Sequence, residues 1–187
     1  MPEQIDDNTV TRAKAGDRAA IAALYECYQR KIHRFFYYRL GDRHAAEDLT
    51  TEVFVRAIEA LPRYRQQNTP LQAWLFRIAR NLAVDYLRQQ QFRNHLALDE
   101  KLAANGRSPD SAAALSLTRD QLQQALGNLT EGQCDVVVLR FVADMPIAEV
   151  AQTLNKSESA VKALQARGLE TLHKILSQRK VHYDTTG

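Results

Sequence analysis

Apolar side chains return at steps of three and four along nearly the whole chain, a period that leaves room for little besides helices. Ile21, Leu24, Tyr25, Tyr28, Ile32, Phe35 and Phe36 form one such stripe. Gly41 and Asp42 end it and open the next, which carries Leu49, Val53, Ala57 and Leu61 until Pro62. After a polar loop, Pro70 starts the fourth helix, counting a short first one ended by Gly16-Asp17, with Leu71, Leu75, Ile78, Leu82 and Tyr86 on its inner face and an end expected near Gln91. With seven glycines, five prolines and almost no alternation of period two, the expected class is all-α.

The period fades from Arg93 to Pro109, where Asn105-Gly106 and Ser108-Pro109 are breakers. This predicts two small helical domains, 1–92 and 111–187, joined by a flexible linker over 93–110. In the second, Thr130 and Gln133 have capping-box spacing, Pro146 suits the first turn of a short helix, and Ser157 can cap a final long one. The plan is four helices, a linker and four more.

Of the 187 residues, 45% are hydrophobic and 25% charged, which argues against a disordered chain. The net charge of +3 favours an anionic partner. Cys27 and Cys134 lie far apart in helical apolar surroundings, so both read as buried free thiols rather than redox or metal groups. The N-terminus is polar and acidic, unlike a signal peptide, and no apolar run reaches a membrane-spanning length. A cytoplasmic protein without membrane insertion is expected. The sequence offers no Gly-rich phosphate loop, metal-spaced His/Cys/Asp set or nucleophile elbow, and His33 and His44 have no evident partner. No catalysis, metal, cofactor or small-molecule substrate is therefore expected.

Two features point to nucleic acid. Pro146 to Leu176 reads as a short helix, a tight turn and a longer helix, the helix-turn-helix arrangement. Ile147, Val150, Ala151, Leu154, Val161, Leu164, Leu172 and Ile175 would point inward, and Ser159, Lys162, Ala163, Ala166 and Arg167 outward. Taken alone, this segment also fits a plain helical hairpin. The second feature is the helix after Pro70, where Arg77, Asn81 and Arg88 fall within about 40° at 100° per residue. Between Arg63 and Arg93 there are six arginines against the single acid Asp85. Arginines in such a stripe track phosphates, Asn81 can bond a base edge, and Tyr64 and Trp74 could offer stacking faces. Trp74 is read first as a core aromatic. The preceding helix is acidic: Asp42, Glu47, Asp48, Glu52 and Glu59 face only Arg43 and Arg56, a surface suited to a protein partner. A duplex-binding regulator would explain the helix-turn-helix but leave these two helices without work.

Together these segments resemble the extracytoplasmic-function sigma factors of the sigma-70 family. Ala46-Glu47-Asp48-Leu49-Thr50-Thr51-Glu52-Val53-Phe54 is similar to the A-E-D-L-x-Q-E-x-F segment of region 2, with Thr51 in place of Gln. Trp74 to Arg88 is close to W-L-x-R-I-A-x-N-x-x-x-D-x-x-R, and Leu129 onward matches region 4. The resemblance implies that Asp48, Leu49, Glu52 and Val53 bind core RNA polymerase. It implies that Tyr64, Arg65, Trp74, Arg77, Arg80, Asn81 and Arg88 capture the unwound −10 element of promoter DNA, with Asn81 at a flipped base. Lys156, Ser159, Lys162, Ala163, Ala166 and Arg167 would read the −35 element, and an anti-sigma factor is the implied regulatory partner. Leu164 and Leu169 stand where many members carry Arg, which weakens the phosphate grip.

Overall fold

The computed structural model describes residues 5–65, 69–100 and 115–184. Every regular element among them is helical: α1 (Asp7–Lys14), α2 (Arg18–Leu40), α3 (Arg43–Ala60), a 3-10 turn (Leu61–Arg63), α4 (Leu71–Glu100), α5 (Leu115–Leu126), α6 (Glu131–Phe141), α7 (Ile147–Leu154) and α8 (Glu158–Asp184). The all-α expectation holds. α4 runs past Gln91 to Glu100, through residues 93–100 that were expected to belong to the linker, because no proline or glycine lies between them. The breakers Asn105-Gly106 and Ser108-Pro109 lie outside the described residues.

Helix ends follow local chemistry. The Asp17 carboxylate accepts from the amides of Ala19 and Ala20 and starts α2. Gly41, with φ of 71°, supplies the left-handed residue that ends it. Asp42 caps α3 through the Ala45 amide at 3.0 Å. Thr130 and Gln133 form the expected capping box, with the Gln133 amide donating to Thr130 Oγ1 and the Thr130 amide to Gln133 Oε1. Ser157 Oγ accepts from the Ala160 amide at 3.2 Å and starts α8.

In the first unit, Ile32, Phe35, Phe36, Val53 and Phe76 are fully buried where α2, α3 and α4 meet, with Phe35 and Phe76 edge to face at 5.7 Å. In the second, Val136, Val138, Leu139, Val150 and Val161 are fully buried between α6, α7 and α8. The two cores are continuous, because α6 and α7 pack on α2 and α4. Cys134 is buried as expected, and burial pushes its thiol up to about 11, so little of it is thiolate. Cys27 is only half-buried.

Gly168 lets α8 cross α6 closely. A Cβ there would stand 3.0 Å from Val137 Cγ2, and Val137 is itself buried. A branched side chain has nowhere to go. Gly168→Val is expected to cost about 1–3 kcal/mol by overpacking, read as a lower urea midpoint at unchanged slope.

Candidate nucleic-acid and protein interfaces

α7 and α8 meet at a turn of three residues. Asn155 takes the left-handed conformation, φ 51°, that a tight interhelical turn needs and that Asn tolerates. Lys156 follows, its amide donating to the Ala151 carbonyl at 2.9 Å. Ala151 is 6% exposed and Val161 fully buried, so the small side chain allows the helices to cross closely. Of the inward set, Val150, Ala151, Val161 and Leu172 are buried, and Ile147, Leu154, Leu164 and Ile175 half-buried. Lys156, Ser159, Lys162, Ala163, Ala166 and Arg167 are all exposed. They form one open face at the start of α8, a cylinder that fits the major groove. Arg167 is folded back on its own helix, its Nε donating to the Ala163 carbonyl at 3.2 Å. Leu164 is half-buried on the α6 side, close to Gly132, whereas Leu169 is 40% exposed. Position 164 is thus a packing site here.

The stripe on α4 is divided. Asn81 and Arg88 are exposed, as is Arg65 before the helix. Arg77 and Arg80 are half-buried and already engaged. Arg77 Nη2 donates to the Gln152 carbonyl at 2.7 Å, while Arg80 reaches Asp135 through Nε and Glu131 through Nη2, both at 3.1 Å. The aromatic pair packs on itself, with Trp74 half-buried in line with its reading as a core aromatic. Tyr64 is 4% exposed, its hydroxyl donates to the Thr69 carbonyl at 2.6 Å, and its ring lies against half-buried Trp74 with centroids 4.8 Å apart. Both rings close the corner between the 3-10 turn and α4. An open platform at Tyr64 is not what this conformation offers.

On α3 the acidic face is open, but not every residue assigned to it lies there. Asp48 is exposed and Leu49 and Glu52 are half-exposed. Val53 is fully buried with Phe35 and Phe76, so it supports that face from beneath and cannot be touched from outside. Both arginines of the helix are spent on i,i+4 pairs, Arg43 with Glu47 at 3.1 Å and Arg56 with Glu52 at 2.7 Å. Sequence reasoning missed Val55 and Ile58, each 46% exposed, and placed Tyr25 inward, although it is 43% exposed with its ring tilted over Phe54. At 100° per residue Val55 lies in the same arc of about 60° as Asp48, Glu52 and Glu59. An apolar side chain amid acids, off the buried stripe, was the available signal. Among the described residues no group of His, Cys, Asp or Glu could hold a metal ion, and no helix is long and apolar enough to cross a membrane.

Comparison with known proteins agrees with this layout. The profile of sigma-70 region 2 matches residues 24–93, and that of sigma-70 region 4 matches residues 125–174. The ECF RNA polymerase sigma factor BldN of Streptomyces coelicolor is 38% identical over 169 residues, covering 89% of this chain and 64% of that protein. The ECF RNA polymerase sigma factor ShbA of Streptomyces griseus is 32% identical over 179 residues, covering 90% of this chain and 94% of its own. Among solved structures, CnrH in complex with the cytosolic domain of CnrY shares the fold, with a TM-score of 0.75 over 94% of this chain and 99% of that one at 23% identity.

Proposed function

Because this chain belongs to the sigma-70 family, in its extracytoplasmic-function group, we propose that it joins core RNA polymerase and brings it to promoters. Residues 1–92 are the unit for polymerase and the −10 element, and residues 111–187 the unit for the −35 element, with 93–110 between them. The cytoplasm, where the transcription machinery works, is its proposed location. The carrying observation is the pairing of two unlike faces on adjacent helices: the acidic face of α3 and the Arg/Asn face of α4, with the open start of α8 as a separate duplex reader.

Each face has a distinct task. The field around Asp48 and Glu52 repels DNA and attracts a basic protein surface, with Leu49, Val55 and Ile58 adding apolar contact. Asn81, flanked by Arg77 and Arg88, bonds the edge of a base drawn out of the stack, and the guanidinium groups follow its phosphates. Extruding one base costs a few kcal/mol. The amide recovers part of that, and polymerase binding supplies what a bubble needs beyond it. An anti-sigma protein is the proposed holding partner; CnrH, which shares the fold, was solved in complex with the cytosolic domain of CnrY.

Run-off transcription from a library of random promoters with purified core polymerase tests this reading, and enrichment of templates sharing two spaced elements is expected. Templates transcribed no better than by core polymerase alone would contradict it. Lys162→Ala is expected to weaken binding of holoenzyme to all duplexes alike and to reduce the slope of log K against log salt by about 0.9, one phosphate's worth. An unchanged slope would remove Lys162 from the phosphate contacts.

A further inference from the structure

The second unit holds two of the cations that the −10 face needs. Asp135 is 1% exposed in the middle of an apolar run on α6. It accepts from Arg39 of α2 at 2.8 Å and from Arg80 of α4 at 3.1 Å, and Glu131, one turn earlier, takes the other end of Arg80 at 3.1 Å. Arg77 is held by the Gln152 carbonyl in the last turn of α7, where the helix dipole is negative. Thr153 Oγ1 donates to the Ala73 carbonyl at 3.3 Å, and Gln123 Nε2 to the Tyr37 carbonyl at 2.9 Å. These contacts lie along one seam between α2 and α4 on one side and α5, α6 and α7 on the other.

Resting on the proposed role of the α4 face, we infer that this seam is an autoinhibitory latch: the −35 unit folds back on the −10 unit and occupies Arg77 and Arg80 until polymerase or DNA opens it. Promoter phosphates would compete for guanidinium groups that carboxylates and a helix end already satisfy. The start of α8 stays open meanwhile, as do Asn81 and Arg88 on α4, so closure withholds the guanidinium groups of Arg77 and Arg80 and spares the duplex-reading face.

The seam is built to be reversible. Taking Arg39, Arg80 and Asp135 out of water costs much of what their attraction returns, so separating all three together and rehydrating them is inexpensive. Two buried polar atoms on the helices of the seam, Glu149 Oε2 and Gln72 Nε2, have no hydrogen-bond partner among the described residues. Burial holds the Glu149 carboxyl above its ordinary range while nearby Lys31 pulls the other way. Closure therefore carries an unmet polar cost at α7, which opening removes.

The test uses the full chain, X-ray scattering for compactness, and fluorescence anisotropy with a short AT-rich single-stranded DNA oligonucleotide. Glu131→Gln, at an exposed position, and Asp135→Asn with Glu131→Gln are expected to expand the particle. Oligonucleotide affinity should rise at least about fivefold, the low end of ordinary coupling between sites. Glu149→Gln removes the buried charge and is expected to shift both readings the other way. Glu26→Gln, on the exposed side of α2, changes net charge as either single variant does and should change neither compactness nor affinity comparably. If the latch variants stay as compact as the wild type, or gain no more affinity than Glu26→Gln, the latch is overturned. Should the double variant not fold, Glu131→Gln and Glu149→Gln still decide. Because scattering needs no polymerase, a latch that fails is distinguishable from a chain that never joins the enzyme.

Discussion

Asp48→Lys combined with Glu52→Lys is expected to abolish association with core RNA polymerase, weakening the complex at least about a hundredfold, ~2.7 kcal/mol. Both side chains lie on the open face of α3, and reversing them turns attraction to a basic partner surface into repulsion. The fold should survive. Asp48 is exposed, and among the described residues Glu52 bonds only its own helix neighbour Arg56, a pair that contributes a few tenths of a kcal/mol at most. Circular dichroism and the urea midpoint should therefore remain near the wild type while run-off transcription falls to the level of core polymerase alone. Normal co-elution with polymerase would show that another surface docks.

Asn81→Ala is expected to cut promoter opening while leaving duplex binding nearly intact. One well-made contact to a base edge contributes ~1–3 kcal/mol, so the open complex should fall roughly five- to 150-fold. Asn81 is exposed and takes no part in the seam with α6 and α7, which separates its loss from any change in closure. On the proposed reading, duplex affinity rests on α8 and on phosphate contacts, and Asn81 lies outside both. Equal losses in closed and open complexes would make Asn81 a general DNA contact rather than a reader of unpaired bases.

The helices were legible in sequence because each carries its own stripe, and because Asp17, Gly41, Asp42, Thr130 and Ser157 mark ends by local bonding that needs no tertiary partner. The exposed face of α8 was legible for the same reason. Where reasoning went astray, a motif or an aromatic ring was read as surface when packing claims it. Val53 falls within the α3 stripe of Phe54 and Ala57 and is buried with them. Tyr64 closes a corner against Trp74 that exists only once the 3-10 turn has folded against α4, whereas Trp74 packs there as its core reading expects. Tyr25, one residue from Leu24, sits at the rim of its stripe and is left outside. The seam was not legible, since no local pattern tells Arg77 or Arg80 which carbonyl or carboxylate will meet it. Its single trace is Asp135, a lone acid between Cys134 and Val136, whose burial had to be answered by cations from elsewhere in the chain.

The central claim is that one small helical unit grips melted DNA while docked on polymerase. Permanganate reactivity of thymines in a duplex promoter fragment, measured with core polymerase, with this chain, and with both, tests it most directly. Reactive thymines confined to the −10 element, in the mixture of both only, are predicted. A footprint identical to that of polymerase alone would contradict it.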